Sequence, residues 1–317
     1  MPRLPYGIRI AGLGSCLPPR ILGNEELSQM VDTNDEWIVS RTGIHERRIV
    51  GEGVNTSDIA TEAALAALAD ANTDPGEIGL VIVASATPDM PFPSTACLVQ
   101  DRIGAPNAGA FDLSAACSGF AYALVAAAGL LGEGGLGKAL VIGAETLSRI
   151  TDWTDRSTCI LFGDGAGAAV IERCEPGQGM LAWELGSNGA GGVHLRVPPP
   201  DRKIIQNGRE VYKFAVHTLG ESVARVCGMC DVSTSDLDWI VPHQANTRIF
   251  EAAAKRLEIP MARVYSNLDR TGNTSAASIP IALAEMKAAG LLVPGQLVAL
   301  SGFGGGLTWA TAVLRWA

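Results

Sequence analysis

The sequence predicts an α/β protein built from two related halves, each combining a β-sheet with helices. A β-rich run, a Phe-Gly-x-Gly turn and a second β-rich run occur together twice, in residues 138–171 and 296–314. In each half a strand also leads through a polar loop into a helix, after residues 111–113 and after residues 239–241. Because sheets and helices bury their apolar faces against one another, we expect two sheets with helices between and outside them. Chance similarity between Gly-rich turns is the alternative, since such turns commonly separate strands.

The two halves are expected to span residues 1–174 and 175–317, with their junction in the Pro- and Gly-containing segment 173–179. A chain of 317 residues that is 47% hydrophobic can bury a large core. Residues 120–131 would be apolar on several sides of a helix, which favours a position in the middle of a layered structure.

Composition also limits the class of protein. The longest apolar stretches are too short to span a membrane, and the N-terminal residues lack the apolar core of a signal peptide. We therefore expect a soluble cytoplasmic protein that does not bind a membrane. The net charge of −9 disfavours nucleic-acid binding, although a local basic cluster would still allow an acidic protein partner.

The seven cysteines lack the spacing of a disulfide framework. Cys227 and Cys230 form a Cys-x-x-Cys pair, which could be a redox or zinc half-site. No second Cys or His pair lies nearby in the sequence, and the segment has the pattern of an amphipathic helix. The favoured interpretation is two packed helix cysteines, with no metal bound.

Cys117 is the candidate nucleophile. The run Leu-Ser-Ala-Ala-Cys-Ser-Gly-Phe places it where a strand turns into an apolar helix. Unpaired backbone N–H groups and the positive end of the helix dipole stabilise a thiolate at such a position. A thiolate is the nucleophile of acyl-transfer chemistry. An inert core cysteine is the alternative, but Gly119, which permits close approach of the backbone, favours the functional interpretation.

His243 is the candidate His partner of this nucleophile. It follows a strand and lies in a loop before a helix predicted over Thr247–Leu257. Catalytic side chains collect at such strand ends in α/β proteins. The other three histidines lie in a charged loop, a Gly-rich loop and the middle of a helix, where structural or solvated roles are expected: His45, His194 and His217.

Two further features supply polar groups. Asn273 precedes a helix predicted over residues 278–289, and a helix cap is its alternative role. The run Gly-Phe-Gly-Gly-Gly at 302–306 permits a backbone N–H to approach a substrate oxygen closely. Paired with the N–H of Cys117, such a group would form an oxyanion hole, whereas an ordinary tight turn is the alternative.

The chain resembles β-ketoacyl-acyl-carrier-protein synthase III, the condensing enzymes that initiate bacterial-type fatty acid synthesis, over residues 8–315. The resemblance rests on the order of seven motifs: Asp35-Glu-Trp-Ile-Val-Ser-Arg-Thr-Gly-Ile, the Cys117 segment, Thr154-Asp-Arg, Phe162-Gly-Asp-Gly-Ala-Gly, Val241-Pro-His-Gln-Ala-Asn, Gly272-Asn-Thr-Ser-Ala-Ala-Ser and Gly302-Phe-Gly-Gly-Gly. It implies a thiolase-like, duplicated five-layer α-β-α-β-α architecture and a homodimer.

The same motifs separate the chain from related enzymes. Thiolases carry a second catalytic Cys near the C-terminus, and here no Cys follows Cys230. Elongating ketoacyl synthases use Cys-His-His, whereas this chain has Asn273 at the third position. Priming or condensing enzymes of polyketide or quinolone pathways share Cys-His-Asn and are the alternative assignment.

The reaction implied by the resemblance is a decarboxylating Claisen condensation. Cys117 would take the acyl group of a short acyl-CoA, while the N–H groups of Cys117 and Gly305 hold the oxyanion. Malonyl-acyl carrier protein would then lose CO₂, and His243 and Asn273 would stabilise the enolate. The chemistry requires no metal or redox cofactor.

The resemblance also assigns substrate-binding roles. The residues expected to contact CoA and pantetheine are Trp37 and Arg156 around the adenine, Arg41 near the phosphates, Gly208 and Asn246 in the pantetheine tunnel, and Phe303 as a gate. Phe92 corresponds to a residue that caps the acyl pocket across the dimer interface, which hints at a short primer such as acetyl.

An acidic carrier protein requires a local basic face on this acidic chain. On the helix after His243, a spacing of 3.6 residues per turn places Arg248, Lys255 and Arg256 on one side, opposite the apolar residues. Lys213 is a further family match. A solvated helix face without a partner is the alternative.

Two other functions are weighed. Gly12-Leu-Gly14 follows a strand-like run, but Leu17 stands where a dinucleotide site needs its third Gly, and Pro18-Pro19 blocks the required helix. An inactive partner that merely binds acyl carriers would differ from the enzyme by forming no acyl adduct on Cys117.

Overall fold

A computed structural model describes residues 6–133 and 135–317. The first half contains these elements: β1 (Gly7–Cys16), β2 (Arg20–Gly23), α1 (Asn24–Ser28), α2 (Asp35–Thr42), β3 (Glu46–Ile49), α3 (Thr56–Asp70), β4 (Ile78–Ala84), α4 (Thr95–Arg102), β5 (Gly109–Leu113), α5 (Gly119–Glu133), β6 (Lys138–Glu145) and β7 (Gly165–Cys174). A 3-10 turn at Ala116–Ser118 leads directly into α5.

The second half repeats this alternation: β8 (Gly179–Ser187), β9 (Leu195–Arg196), β10 (Ile205–Gln206), α6 (Gly208–Met229), β11 (Trp239–Pro242), α7 (Thr247–Leu257), α8 (Leu268–Thr271), α9 (Ser278–Ala288), β12 (Leu297–Gly304) and β13 (Thr308–Arg315). A 3-10 turn at Ser275–Ala277 precedes α9, as the turn at Ala116–Ser118 precedes α5. Within the described residues, no helix is both long enough and apolar enough to cross a membrane.

The sheet topology repeats between the halves. The strand order is β11-β12-β13-β8-β1-β7-β6-β4-β5, so β4-β6-β7-β1 in the first half corresponds to β11-β12-β13-β8 in the second. We expected two sheets, but a parallel contact between Ile8 and Gly179 joins them at one edge. Gly179 has a φ of 67°, and a Cβ there would lie 2.0 Å from the Ile8 carbonyl oxygen. The join therefore depends on a glycine.

The helices complete a five-layer α-β-α-β-α arrangement, as predicted. Helices α3 and α4 pack on the outer face of the first-half strands. Helix α6 packs on the outer face of the second-half strands, and α7 packs beside α6 in the same apolar cluster. Between them, α5 and α9 pack against strands of both halves and form the central core. The division at residues 174 and 175 stays a prediction, although β7 ends at Cys174 and β8 begins at Gly179.

Small residues bring the two central turns together. A Cβ on Gly119 would lie 3.0 Å from the Cβ of Ala84 and 3.4 Å from the Cβ of Ala276. A Cβ on Gly143 would lie only 2.2 Å from the carbonyl oxygen of Ala276. The backbones of β6 and of the turns before α5 and α9 therefore approach one another at the centre of the molecule.

The Cys-x-x-Cys pair lies on and just after α6. Cys227 is buried on the helix, and Cys230 follows its end with its sulfur 3.4 Å from the carbonyl oxygen of Val226. In the part of the chain that the structure describes, no three His, Cys, Asp or Glu side chains are grouped to hold a metal ion.

Candidate active site

Cys117, His243 and Asn273 line one pocket, although long stretches of sequence separate them. The pocket encloses about 600 Å³, including its open mouth. Cys117 lies in the turn before α5, and Asn273 lies just before the equivalent turn of α9. His243 follows the carboxyl end of β11. The duplicated topology thus brings together side chains from both halves of the chain.

The backbone before Cys117 has an unusual conformation. Ala116 has a φ of 46°, in the left-handed region that residues with a Cβ seldom adopt. Its counterpart in the second half is Ser275, with a φ of 49°. Such conformations are retained where the surrounding structure imposes them, and they cluster at functional sites.

The Cys117 thiol is more deeply buried than the sequence predicts. Cys117 is 8% exposed, and burial raises the pKa of its thiol to about 12. Interaction with the Ser275 hydroxyl lowers this pKa, whereas the charge of Glu145 raises it further. The expectation of a resting thiolate at the helix N-terminus is therefore wrong. Loss of water around the sulfur outweighs the favourable backbone N–H groups.

His243 is a neutral imidazole in this pocket. It is 2% exposed, and burial lowers its pKa to about 3, against a smaller raising effect from the Ser275 backbone. Its Nδ1 atom lies 2.8 Å from the hydroxyl oxygen of Ser278. The ring of Phe303 packs edge-on against it, with centroids 5.3 Å apart. The imidazole is thus held on two sides.

The Phe162-Gly-Asp-Gly motif holds Asn273 in place. The Asn273 N–H donates to the Leu161 carbonyl at 2.9 Å, and the Gly163 N–H donates to the Asn273 carbonyl at 2.9 Å. The side-chain oxygen of Asn273 accepts a hydrogen bond from the Ser275 N–H at 2.9 Å. Because this bond occupies the oxygen, the amide nitrogen is the group that can donate to a substrate. Asn273 closes a local turn rather than capping α9, whose cap residue is Ala277.

The Gly-rich turn lies directly against the nucleophile. A Cβ on Gly304 would come within 2.7 Å of the Cys117 Cβ. Gly304 lines the pocket, while Gly305, predicted to supply an oxyanion N–H, lies behind it against Ala116 and Leu195. The role of the Gly305 N–H stays a prediction.

The tunnel side of the pocket includes the predicted residues Gly208, Asn246 and Phe303. Asn246 also caps α7, and its amide nitrogen donates to the Arg41 carbonyl at 2.8 Å. Sequence reasoning missed the remaining lining residues: Leu161, Phe162, Leu195, Gln206, Val211, Tyr212, Phe214, Ala245, Ile249 and Gly304. Val211, Tyr212 and Phe214 lie on the first turns of α6, which begins at Gly208. The predicted role of Gly208 was therefore the sequence signal that could have indicated these neighbours.

The predicted adenine-binding residues lie outside this pocket and already contact one another. The guanidinium groups of Arg156 and Arg41 lie 4.4 and 4.7 Å from the ring centroid of Trp37. Arg156 also donates to the Asp32 carbonyl at 2.7 Å. No space remains between Trp37 and Arg156 for an adenine, so Arg156 would have to move when CoA binds.

The predicted basic face of α7 is present. Its apolar residues are buried, while Arg248, Lys255 and Arg256 are exposed. Arg256 pairs with Glu221 at 2.6 Å, and Arg248 lies over the ring of Tyr212, 5.9 Å from its centroid. Among the described residues, Lys255 has no carboxylate within ion-pair distance.

The other two predicted contact residues are also at the surface. Lys213 pairs with Glu210 at 2.7 Å. Phe92 is 85% exposed and does not reach the pocket within its own chain. An exposed phenyl ring of this kind suits an interface.

Two segments of the sequence match known family descriptions. Residues 111–189 match "3-Oxoacyl-[acyl-carrier-protein (ACP)] synthase III", and residues 227–316 match the C-terminal part of the same family. A Geobacillus kaustophilus protein named Beta-ketoacyl-[acyl-carrier-protein] synthase III is 51% identical over 310 residues, covering 98% of this chain and 99% of that protein. A protein of the same name from Oceanobacillus iheyensis is 51% identical over 309 residues, with the same coverage of both chains.

Solved structures agree with these sequence matches. The 3-oxoacyl-[acyl-carrier-protein] synthase III of Aquifex aeolicus superposes with a TM-score of 0.95 at 46% identity, covering 98% of this chain and 100% of its own. The priming β-ketosynthase of the R1128 polyketide pathway superposes with a TM-score of 0.94 at 34% identity, covering 100% and 98%. From this agreement over nearly its whole length, the chain belongs to the β-ketoacyl-[acyl-carrier-protein] synthase III family.

Proposed function

We propose that this protein condenses a short acyl-CoA with malonyl-acyl carrier protein, releasing CO₂ and β-ketoacyl-acyl carrier protein, and thereby initiates fatty acid synthesis. The observation that carries this proposal is the convergence of Cys117, His243 and Asn273 on one pocket. A nucleophile with two neutral hydrogen-bond donors suits an acyl transfer followed by a decarboxylation.

In the first half-reaction, the sulfur of Cys117 attacks the thioester carbon of the acyl-CoA. The tetrahedral oxyanion accepts hydrogen bonds from the backbone N–H groups of Cys117 and Gly305. The S–H bond of Cys117 and the carbon–sulfur bond to CoA break, CoA leaves as a thiol carrying, by way of water, the proton that Cys117 lost, and an acyl thioester remains on Cys117.

In the second half-reaction, malonyl-acyl carrier protein enters the emptied tunnel. Loss of CO₂ leaves an enolate, whose oxygen accepts hydrogen bonds from the His243 ring N–H and the Asn273 amide. Because burial lowers the pKa of His243 to about 3, the imidazole acts as a neutral donor and does not bring a positive charge. The enolate carbon attacks the acyl thioester, and the Cys117 sulfur leaves as a thiolate.

The alternative is a priming reaction in a polyketide or quinolone pathway with the same three side chains. The R1128 enzyme, at 34% identity, supports the chemistry but is less similar than the fatty acid synthases at 51%. The primary fatty acid pathway is therefore the better-supported assignment.

We also propose a homodimer that docks an acidic carrier protein. The exposed Phe92 would enter the acyl pocket of a second copy and limit the primer length. The carrier protein would contact Lys213, Arg248, Lys255 and Arg256, which lie on α6 and α7 beside the pocket. Complementary charge of this kind orients a partner and speeds its encounter.

The test is mass spectrometry of the protein after mixing with acetyl-CoA, followed by addition of malonyl-acyl carrier protein. We expect an acetyl adduct on Cys117 that is lost as β-ketoacyl product forms. Cys117→Ala should abolish the adduct. Asn273→Ala should retain it but form product about 10²–10³ times more slowly, since it lacks one donor to the enolate.

Two outcomes would contradict the proposal. If no short acyl-CoA modifies Cys117, the protein is an inactive carrier-binding partner. If Asn273→Ala blocks the adduct as completely as Cys117→Ala, its assignment to decarboxylation is wrong.

A further inference from the structure

Two hydroxyl groups join the turn that carries Cys117 to the Gly-rich turn. The Ser118 hydroxyl is placed to donate to the Ala115 carbonyl at 2.7 Å or to the Thr308 hydroxyl oxygen at 2.8 Å. The Thr308 hydroxyl is placed to donate to the Gly305 carbonyl at 2.9 Å or to the Ala115 carbonyl at 3.0 Å. Ser118 and Thr308 are 190 residues apart in the sequence, so their contact joins the two halves of the chain.

The available protons decide which of these bonds form together. Each hydroxyl has one proton to donate. The Ala115 carbonyl already accepts the Ser118 N–H at 3.2 Å, so it does not depend on Thr308. The Thr308 proton is therefore available to the Gly305 carbonyl, and the Ser118 proton is available to the Thr308 oxygen. The two bonds then form a chain between the turns, and each bond polarises and strengthens the other.

The Gly-rich turn needs a restraint of this kind. Gly304, Gly305 and Gly306 are consecutive, and residues without a Cβ populate many backbone conformations. Gly306 has a φ of 131°, in the region that favours glycine. Glycine is also required for close packing, because a Cβ on Gly302 would lie 2.8 Å from the Cα of Ser118. The glycines thus permit close approach to the nucleophile, but their shape has to be held from outside the run.

Neither hydroxyl takes part in the two half-reactions described above. Ser118 is fully buried and Thr308 is half-buried. Neither residue is among those that line the pocket. They can therefore affect a substrate only through the backbone groups that they hold.

We propose that Ser118 and Thr308 are positioning residues that fix the spacing of the two oxyanion N–H groups. The proposal rests on the acyl transfer proposed above, in which the N–H groups of Cys117 and Gly305 hold the oxyanion. Thr308 holds Gly305 through its carbonyl, and Ser118 is the residue that follows Cys117 in its turn. Because both donors must lie about 2.7–3.1 Å from the oxyanion, a shift of either turn weakens its stabilisation.

The chemistry of the sulfur separates this role from a structural one. An oxyanion forms when the Cys117 sulfur attacks the acyl-CoA, and again when the enolate carbon attacks the acyl thioester. Alkylation of the same sulfur by iodoacetamide displaces iodide from a saturated carbon and forms no oxyanion. Loss of the hydroxyl chain should therefore slow acyl transfer and spare alkylation, whereas displacement of the thiol itself would slow both reactions.

Thr308→Val is the main test, because it removes the hydroxyl and keeps a branched side chain. Acetylation of Cys117 by acetyl-CoA, followed by single-turnover mass spectrometry, should slow about five- to tenfold, since one orienting hydrogen bond is lost. The rate of alkylation by iodoacetamide at the same pH should stay within about twofold of the unaltered protein. Thr308→Ser keeps the hydroxyl and should restore most of the acetylation rate.

Two further variants complete the test. Thr61→Val is the matched control, because the Thr61 hydroxyl is on a half-buried residue of α3 and donates to the Ser57 carbonyl at 2.7 Å. It should change neither rate. Ser118→Ala removes the other hydroxyl of the chain and should slow acetylation about three- to fivefold, again with alkylation spared. It carries the test on its own if Thr308→Val does not fold.

The positioning role is overturned if a folded Thr308→Val or Ser118→Ala is acetylated as fast as the unaltered protein. It is also overturned if acetylation and alkylation slow by the same factor, because the hydroxyls would then hold only the thiol. A Thr308→Ser variant as slow as Thr308→Val would overturn it too, since the methyl group would then be responsible. These results leave the proposed function standing, whereas absence of acetylation in the unaltered protein rejects that function and the positioning role with it.

Discussion

The Nδ1 atom of His243 and the hydroxyl oxygen of Ser278 lie 2.8 Å apart, at the base of the pocket. The same hydroxyl donates to the Ser275 carbonyl oxygen at 2.8 Å and accepts the Gln244 N–H at 3.3 Å. A hydroxyl has one proton, so its direction determines which nitrogen of the neutral imidazole is protonated. While Ser278 donates to the Ser275 carbonyl, the hydroxyl accepts from Nδ1. When the hydroxyl turns to donate to Nδ1 instead, the proton of the ring is on Nε2, from which an enolate oxygen can accept a hydrogen bond.

Ser278→Ala should therefore impair condensation more than acylation. Loss of one orienting hydrogen bond is worth about 1 kcal/mol, so the rate of β-ketoacyl product formation should fall about fivefold. Acetylation of Cys117 should stay within about twofold of the unaltered protein. Single-turnover measurements of each half-reaction separate the two effects, and equal losses in both would assign Ser278 to packing alone.

Local patterns predicted the positions of the site but not its electrostatics. Cys117, His243 and the helix Thr247–Leu257 could be predicted, because strand ends, caps and helical periodicity are properties of neighbouring residues. The raised pKa of Cys117 could not, since it depends on how completely distant segments exclude water from the sulfur. The burial of Glu145 at the end of β6 was missed for the same reason, because its hydrogen-bond donors Ser85, Ala86 and Thr87 are remote from it in the sequence.

Gly304→Ala tests how tightly the Gly-rich turn fixes the nucleophile. The added Cβ would lie 2.7 Å from the Cβ and 2.8 Å from the backbone nitrogen of Cys117, neither of which can rotate away. Displacement of the sulfur by a fraction of an ångström to 1 Å should slow acetylation about a hundredfold. Gly109→Ala is the matched control, since its Cβ would meet no atom within 4 Å. Similar acetylation rates for the two variants would show that the Gly-rich turn shifts to accommodate the added methyl group without displacing Cys117.

Trp37→Ala tests the proposed adenine contact. A cation–π or stacking contact at an exposed site is worth about 0.5–1 kcal/mol, so the KM for acetyl-CoA should rise about two- to fivefold at unchanged kcat. The KM for malonyl-acyl carrier protein should not change. Trp37→Phe keeps a ring for Arg156 and should show a smaller effect. An equal rise of both KM values would indicate a general disturbance of α2.

Lys255→Glu tests the basic face of α7. Reversing the charge of an exposed residue next to an acidic partner should raise the KM for malonyl-acyl carrier protein about tenfold at low salt. Because the Debye length falls to about 3 Å at 1 M salt, the effect should shrink as salt is added. The KM for acetyl-CoA serves as the internal control. A salt-independent loss would point to damage within α7 rather than to docking.

His243 should make the folded protein sensitive to acid. Burial lowers its pKa from an ordinary value of 6.5 to about 3, so between these values the unfolded chain binds a proton that the folded chain does not. The free energy of unfolding should therefore fall by about 1.4 kcal/mol per pH unit below pH 6 on account of this one residue. Denaturant unfolding of the unaltered protein and of His243→Gln is compared at pH 6 and pH 5. The comparison separates the contribution of His243 from that of the carboxylates, which both proteins share. The stability of His243→Gln should decline less steeply as the pH falls, and parallel declines would mean that protonated His243 is accommodated in the folded pocket.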